Sequence, residues 1–352
     1  MKNKKVLVIA LIALAVFVGV YTSTTNMLSG NGGIVEVDSE KDGDENKEVE
    51  PLELPYKAPL TGEPLENEML LRPLAVVVEN SPNARPQSGL KQADVVYEVL
   101  AEGGITRFLV IYQQGTAELI GPVRSARHYM AYMAHDFDGV FVHVGGSPQG
   151  LTYVGQNTVA NLNAYYIASG EFWRTSDRRA PHNLYSSTEK MRSLMKKRNL
   201  ERDTEINAWP FLAKGEVSSG GSVAEEITIK YPVQISHVRY LYDENKNNYK
   251  RYMGGVPHLD RESESQLTAD NIIVQYANTR AIPGDNQGRL DIDVVGAGEA
   301  VIFTNGRAYE ANWKKSDKRS RTIYTDKQGE EIPLTPGSTW VQIVRTNTEV
   351  VY

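Results

Sequence analysis

The sequence predicts an α+β protein in which an N-terminal α/β domain is followed by a β-rich C-terminal domain, both placed after a membrane anchor and an acidic linker. Three patterns favour this fold class. The chain opens with an apolar run, an acidic stretch follows it, and the later pattern changes from alternating strands and helices to strands alone. A chain of 352 residues is long enough for two folded domains. The predicted segments are an anchor or signal over 1–29, a disordered acidic linker over 30–58, the α/β domain over 59–214 and the β-rich domain over 222–346.

The N-terminal segment has the layout of a secretory signal or an uncleaved anchor. Lys2, Lys4 and Lys5 precede an uninterrupted apolar run over 6–21. The run is shorter than the ~20 residues of a typical span, but residues 22–24 match a cleavage site poorly. A single-pass anchor is therefore favoured over a cleaved signal, and a buried core helix is the third alternative. Because the lysines should stay in the cytoplasm, the rest of the chain is expected outside, on the cell membrane.

The acidic linker follows the anchor. Residues 30–53 are rich in Asp and Glu and hold almost no large apolar side chains. Such a segment cannot offset its ordering entropy by burial. We expect an extended tether that holds the folded part away from the membrane.

The first folded domain shows strands and helices in alternation. Apolar, Val-rich runs predict strands, and helical periodicity with a Ser cap predicts helices. The predicted strands are 74–78, 94–99, 107–112 and 139–144, and the predicted helices are 125–137, 147–153 and 187–198. This alternation predicts an α/β domain.

The second folded domain reads as strands alone, with turn dipeptides at Asn305-Gly306 and Gln328-Gly329. The predicted strands are 227–231, 237–242, 249–253, 272–276, 290–294, 300–304, 322–324 and 340–344. A cluster of Gly and Ser over 214–221 marks the predicted boundary between the domains. The tyrosines of this half are expected in the core or in cross-strand pairs, and a sugar-stacking surface is the alternative.

The composition excludes several classes of function. The chain has no cysteine, which excludes disulfides, cysteine nucleophiles, thiolate metal sites and a lipid-modified cysteine. A net charge of -6 argues against a nucleic-acid partner. No phosphate-binding loop or dinucleotide fingerprint is present, so no cofactor is expected.

The strongest local cluster of polar residues lies over 121–128. Gly121-Pro122 marks a turn, and Ser125 is predicted to cap the helix that follows. Arg124, Arg127 and His128 stand at helical spacing near that cap, where free N–H groups favour an anion. The alternative is that the arginines pair with acids such as Glu98 or Glu102.

A second polar cluster lies over 173–185. Arg174, Arg179, His182 and Asn183 stand there between aromatic residues and are predicted to complete the same pocket. A solvated, salt-bridged loop is the alternative. Together with Arg107, the two clusters give a predicted anion clamp, because guanidinium groups match carboxylate and phosphate.

Two other kinds of site are disfavoured. His128, His135, His143 and His182 match no known metal-ligand spacing, so no metal is expected. Ser147 follows a strand and two glycines, as a nucleophile would. Pro148 comes next and has no N–H to offer an oxyanion, so a serine hydrolase is disfavoured and a ligand-binding turn is preferred.

Several strings of the sequence resemble the YerB family of Gram-positive bacteria. Two of these specific strings are Gly121-Pro122-Val123-Arg124-Ser125-Ala126-Arg127 and Ala180-Pro181-His182-Asn183-Leu184-Tyr185. Further matching strings are 84–90, 93–98, 102–108, 251–253, 266–269, 271–275 and 337–342. The resemblance implies a lipoprotein-like envelope protein with two domains of unknown function, and it supplies no established activity or catalytic residues. The chain departs from the family in lacking the lipidated cysteine, which favours a peptide anchor.

Three classes of function stay open at this point. The first is a module that binds an anionic envelope component such as peptidoglycan or teichoic acid, and scaffolds or regulates cell-wall metabolism. The second is a hydrolase or transferase on such a polymer, with His128 or His182 as general base. The third is a regulator that binds envelope enzymes.

Overall fold

Strands dominate the part of the chain that the computed structural model describes, residues 54–168, 170–213 and 215–352. The strands are β1 (Tyr56–Lys57), β2 (Pro64–Leu65), β3 (Leu74–Glu79), β4 (Val95–Leu100), β5 (Thr106–Tyr112), β6 (Val140–His143), β7 (Asn161–Asn163), β8 (Trp173–Arg174), β9 (Leu184–Tyr185), β10 (Ser222–Val223), β11 (Glu226–Ile229), β12 (Val238–Asp243), β13 (Asn248–Met253), β14 (Val256–Pro257), β15 (Thr268–Ala269), β16 (Asn271–Ala277), β17 (Thr279–Ala281), β18 (Leu290–Ile292), β19 (Gly296–Thr304), β20 (Arg307–Lys315), β21 (Ile323–Thr325), β22 (Thr339–Arg345) and β23 (Val350–Val351). The α-helices are α1 (His128–Ala134), α2 (Pro148–Gly155) and α3 (Thr188–Lys197). Short 3-10 turns are Pro82–Ala84, Leu90–Gln92, Glu102–Gly104, His135–Phe137, Ala164–Tyr166 and Gln234–Ser236.

One mixed sheet of 11 strands runs through both predicted domains. Its order is β10-β20-β19-β16-β22-β4-β5-β3-β6-β7, with β21 paired to β20. The first half of the chain supplies five neighbouring strands, which are β4, β5, β3, β6 and β7. The second half supplies the other five on this path, which are β10, β20, β19, β16 and β22. The two halves meet where β4 pairs in parallel with β22, from Val95 opposite Thr339 to Val99 opposite Ile343.

The strands predicted in the first half are all present. Three of them, β3, β4 and β5, are buried along their whole length. Their pairing is more antiparallel than an alternating α/β pattern implies. β3, β5 and β4 pair antiparallel, and only β3, β6 and β7 are parallel neighbours. The reason is the short turn at Glu102–Gly104, which connects β4 directly to β5 without a helix.

A second sheet of six strands packs on the first. Its order is β14-β13-β12-β11-β23, with β15 paired to β13. Tyr240 and Tyr249 on this sheet are fully buried and belong to the core, as the cross-strand interpretation predicted. The second half of the chain also contains β20, a nine-residue strand that was not predicted from the sequence. Asn305 and Gly306, both with positive φ, form the turn between β19 and β20.

The helix predictions hold for α2 and α3 and fail at the start of α1. Ser147 and Ser187 cap α2 and α3 by accepting the N–H groups of Gly150 and Lys190. The prediction that Ser125 caps this helix is wrong, because α1 begins only at His128. Residues before it are extended, with the Arg124 N–H bonded to Val77 O and the Ala126 N–H bonded to Gly145 O.

The predicted anchor and nearly all of the acidic linker lie outside the described residues. Within residues 54–168, 170–213 and 215–352, no helix is long and apolar enough to cross a membrane. The predicted domain boundary falls in an exposed stretch just before β10. It stays a prediction, and the described halves share the main sheet.

Candidate anion-binding site

Glu79, the last residue of β3, brings two of the predicted site residues together. Its Oε2 lies 2.9 Å from His182 Nδ1 and 3.3 Å from Arg124 Nε. Its Oε1 accepts a hydrogen bond of 2.8 Å from the Ser81 hydroxyl. The carboxylate is almost completely buried, with 6% of the side chain exposed, so its position relative to Arg124 and His182 is fixed.

The backbone explains why these distant residues meet. The segment 122–124 lies between β3 and β9. On one side, Glu79 N–H donates to Pro122 O and Arg124 N–H donates to Val77 O, both at 2.9 Å. On the other side, Val123 N–H donates to Leu184 O at 2.7 Å. His182 lies just before β9 and is therefore placed beside Arg124.

The guanidinium group of Arg124 keeps its outer face free. Its Nε is buried and lies near Glu79 Oε2 without the alignment of a hydrogen bond. No acceptor in residues 54–168, 170–213 or 215–352 contacts Nη1 or Nη2, and 22% of the side chain is exposed. Two aligned N–H donors on a planar group are what a carboxylate or phosphate would need.

His182 is oriented by the same carboxylate oxygen. Because Nδ1 faces Glu79, a neutral ring carries its proton there and presents Nε2 outward as an acceptor. A protonated ring would present an N–H donor at Nε2 instead. No described residue occupies Nε2.

Arg107 and Arg127 form a separate cluster around Glu102. Arg127 Nε lies 2.7 Å from Glu102 Oε1, and Arg107 Nη2 lies 3.4 Å from Oε2. Burial and the charge of Arg127 lower the pKa of Arg107 to about 10. Burial opposes ionisation of Glu102, yet Arg107 and Arg127 outweigh it and lower the pKa of that carboxyl. The pairing with Glu102 that the sequence offered as an alternative is therefore present, whereas Glu98 pairs elsewhere.

Ser125 and His128 also have other roles. The Ser125 carbonyl accepts from Arg107 Nη1 at 3.0 Å, and its hydroxyl caps no helix. His128 Nε2 lies 2.9 Å from Asp291 Oδ1 on β18, which reaches over from the second half of the chain. The structure thus divides the predicted cluster at 121–128 among Glu79, Glu102 and Asp291.

The loop over 173–185 is organised by Asn183. Its Oδ1 accepts from Arg174 Nη1 at 2.7 Å, and its Nδ2 donates to the carbonyls of Thr175 and Arg178 at 2.9 and 3.1 Å. Asn183 is buried, so it shapes the loop that carries His182. Arg179 is exposed, and its side chain has no partner among the described residues.

Glu79 is the site residue that the sequence analysis missed. The available signal was an acidic residue ending a buried strand, followed by Asn80 and Ser81. No group of three His, Asp or Glu residues in the described part of the chain is placed to hold a metal ion. A cleft of about 890 Å³ is lined by residues near Gly221 and Lys327 and shares none with this cluster.

The fold and site define a strand-rich protein whose two segments share one sheet and which carries an Arg–His pair beside a buried carboxylate. The chain belongs to the protein family of unknown function DUF3048, because its N-terminal domain model matches residues 60–201 and its C-terminal domain model matches residues 227–341. The resemblance to the YerB family is confirmed. The protein called "Putative lipoprotein YerB" of Bacillus subtilis (strain 168) is 36% identical over 291 residues, covering 82% of this chain and 86% of that protein.

A solved structure supports the fold. The crystal structure of YerB from Bacillus subtilis matches with a TM-score of 0.75 and 34% sequence identity. The match covers 84% of this chain and 100% of that chain. Nearly the whole described part therefore has a counterpart in that structure.

Proposed function

We propose that this is a membrane-tethered extracytoplasmic protein that binds an anionic cell-envelope component through Arg124 and His182, and that it scaffolds or regulates cell-wall metabolism. The name of its Bacillus relative, "Putative lipoprotein YerB", supports an envelope location. This chain has no cysteine to carry a lipid. The tether is then the apolar segment over 6–21, used as a single-pass anchor.

The observation that carries the binding proposal is the free outer face of Arg124 beside His182. The buried carboxylate of Glu79 contacts Arg124 Nε and His182 Nδ1. The other nitrogen atoms, Arg124 Nη1, Arg124 Nη2 and His182 Nε2, have no partner among the described residues. Fixing donors before the ligand arrives reduces the entropy lost on binding. A carboxylate of a peptidoglycan peptide or a phosphate of a teichoic acid has the matching chemistry.

The test is anion binding by the full-length chain purified in detergent, with inorganic phosphate and N-acetyl-alanyl-alanine as probes. Arg124→Ala should weaken binding by ~1.5–3 kcal/mol, the range for a hydrogen bond to a charged group. Arg124→Lys should recover only part of this loss, because a point charge does not replace a planar fork. Arg239→Ala, which removes an exposed arginine on β12, is the matched control. Unchanged affinity in a folded Arg124→Ala protein would contradict the proposal.

A second candidate is a hydrolase or transferase in which His182 acts as general base. The observation that favours it is the contact between Glu79 Oε2 and His182 Nδ1, because a neutral ring with its proton on Nδ1 can accept a proton at Nε2. The nearest hydroxyl, Ser81 Oγ, lies 3.5 Å from Nδ1 and donates to Glu79, so it is not a nucleophile for Nε2. The base would therefore act on water or on a substrate hydroxyl.

This candidate predicts turnover of a purified wall polymer. His182→Gln should lower the rate ~10²–10⁴-fold, the usual contribution of a general base. His237→Gln, a histidine of the second half outside the cluster, is the control. Binding without turnover by the unmodified protein would reject the enzyme and leave the binding module.

A further inference from the structure

A polar cavity lies at the end of strand β6 that is far from Arg124. Its volume is about 460 Å³, within the usual range of ~300–1,000 Å³ for small-molecule sites. Three arginines and one aspartate supply its charged lining, which consists of Arg72, Arg202, Arg319 and Asp138. The cavity shares no residue with the cluster around Glu79.

The only carboxylate in the lining is already fully engaged. Asp138 Oδ1 lies 2.8 Å from Arg72 Nη2, and Oδ2 lies 2.5 Å from Arg202 Nη2. Arg72 also donates from Nε to Asp138 O and from Nη1 to Leu200 O, both at 2.9 Å. Arg72 is therefore a buried structural anchor, and its charge is matched by Asp138.

The remaining positive charge in the cavity has no counter-ion. The Arg202 side chain is 61% exposed and uses a single nitrogen atom toward Asp138. The guanidinium group of Arg319 meets no acceptor in residues 54–168, 170–213 or 215–352. Asp317 lies nearby, but its Oδ1 accepts the backbone N–H groups of Arg319 and Ser320 at 2.7 and 3.0 Å, which fixes the turn that presents Arg319.

A histidine in the cavity lining, His135, lies close to these charged side chains. His135 Nε2 lies 3.2 Å from the Tyr153 hydroxyl, and Lys318 lies over the Tyr153 ring at 5.5 Å. Burial, followed by the charges of Lys315 and Arg319, lowers the pKa of His135 against the opposing charges of Asp138 and Asp136. Arg319 therefore acts on the His135 ring, and a charge bound beside Arg319 would act on it as well.

We infer that this cavity is a second ligand site, which binds the phosphate group of a small phosphate ester between Arg202 and Arg319. Arg319 offers its whole guanidinium group and Arg202 the nitrogen atoms not bonded to Asp138, and together they supply the planar donors that phosphate prefers. Val159 and Ala160 line the same cavity and give the organic part of the ester an apolar surface. Arg319 comes from the second half of the chain and the other charged residues come from the first, so the ligand would bridge the two halves.

The test follows the imidazole of His135 by NMR in the full-length chain, assigned with His135→Gln. Inorganic phosphate should raise the pKa of His135, because a bound negative charge favours the imidazolium form. Arg319→Gln should weaken phosphate binding about tenfold or more, a loss of ~1.4 kcal/mol or more. The same variant should raise the pKa of His135 without ligand, since it removes a nearby positive charge. Arg239→Gln, an exposed arginine elsewhere, should change neither result.

Two further probes distinguish the source of the phosphate. Glycerol phosphate binding more tightly than inorganic phosphate would assign the site to a soluble or polymer-derived ester. Tighter binding of dihexanoyl phosphatidylglycerol, below its micelle-forming concentration, would assign it to a lipid headgroup. Either result supports the site only if Arg319→Gln abolishes the preference.

The proposal fails if phosphate leaves the His135 resonance unmoved, or if Arg319→Gln leaves the phosphate response unchanged. It also fails if Arg124→Ala removes the His135 response, because the response would then come from the other site. Conversely, a normal His135 response alongside unchanged anion affinity in Arg124→Ala would reject the Arg124 proposal alone.

Discussion

Glu98 on β4 and Arg251 on β13 form an ion pair whose two side chains are completely shielded from solvent, with Oε2 2.5 Å from Nη2. The pair is surrounded by further polar and aromatic groups. Glu98 Oε1 accepts from the Thr106 hydroxyl at 2.6 Å, and the Arg251 guanidinium lies 4.3 Å from the centre of the Trp340 ring. Glu98 belongs to the first matched family segment and Arg251 to the second, so a desolvated charge pair connects them.

Arg251→Met should destabilise the protein by ~3–5 kcal/mol, the cost of leaving one partner of a buried pair charged and unpaired. Urea unfolding measures this loss. The double variant Glu98→Gln/Arg251→Met should recover part of it, because no uncompensated charge is left. Arg239→Met on β12 is the control, since its exposed pair with Glu226 is worth ~0–1 kcal/mol. Equal losses in Arg251→Met and Arg239→Met would contradict the assignment.

His258 should make stability depend on pH. Its Nδ1 accepts from Arg251 Nε at 3.0 Å, and its Nε2 lies 2.9 Å from Gln87 Oε1. Burial, followed by the charges of Arg251 and Arg85, holds the pKa of His258 well below 6.5. Below pH 6.5 the unfolded chain therefore takes up a proton that the folded chain does not, and the free energy of unfolding falls as pH falls.

The slope should be about 1.4 kcal/mol per pH unit for this one histidine. His258→Gln should reduce the slope by about half that amount at pH 6.5 and by nearly all of it at pH 5, as measured by urea unfolding at each pH. Some slope should persist, because burial also lowers the pKa values of His135 and His143. An identical slope in His258→Gln would show that the ring takes up its proton equally in the folded and the unfolded chain.

A cut at the predicted domain boundary should leave the two pieces together. The stretch from Gly215 to Gly221 is largely exposed and offers backbone to a protease. The pieces still share the β4–β22 pairing and the buried Asp136–Lys315 and Glu98–Arg251 pairs. A protease site inserted after Val217 should give a nicked protein that elutes as one species in native buffer and as two in urea. Separation of the two pieces in native buffer would show that they fold as two independent domains.

Asn183→Ala should weaken anion binding at Arg124 without removing a group that faces the ligand. The amide holds the loop through Arg174, Thr175 and Arg178. Its loss should cost ~1–3 kcal/mol of stability because the partners are left unsatisfied. Thermal unfolding and phosphate titration check both effects. Arg174→Ala removes a single bond of the network and should have a smaller effect. Unchanged affinity in Asn183→Ala would mean that the loop does not position His182.

The strands were predictable where burial is complete on both faces. β3, β4 and β5 are continuous apolar runs, and the sequence shows them directly. β20 was missed because one of its faces is exposed and its inward positions include Lys315, a residue type that argues against burial. That lysine is buried because Asp136, far away in sequence, neutralises it.

The candidate site was predictable in its residue types and not in its partners. The sequence shows that Arg124 and His182 belong to polar clusters, and local spacing suggested that Arg124, Arg127 and His128 would act together. The extended backbone over 123–126 sends these side chains to different acceptors. No local sequence pattern predicts that Glu79 contacts Arg124 and His182. The contact depends on how the segment 122–124 lies between β3 and β9.

The position of β22 determines when the protein can fold. This strand lies between β4 and β16 in the middle of the main sheet, yet it is encoded at Thr339–Arg345, long after both of its neighbours. A growing chain therefore holds β4 and β16 with open, hydrogen-bonding edges until Arg345 has been synthesised. Deletion of Thr339–Arg345 would remove the strand that joins the two parts of the sheet.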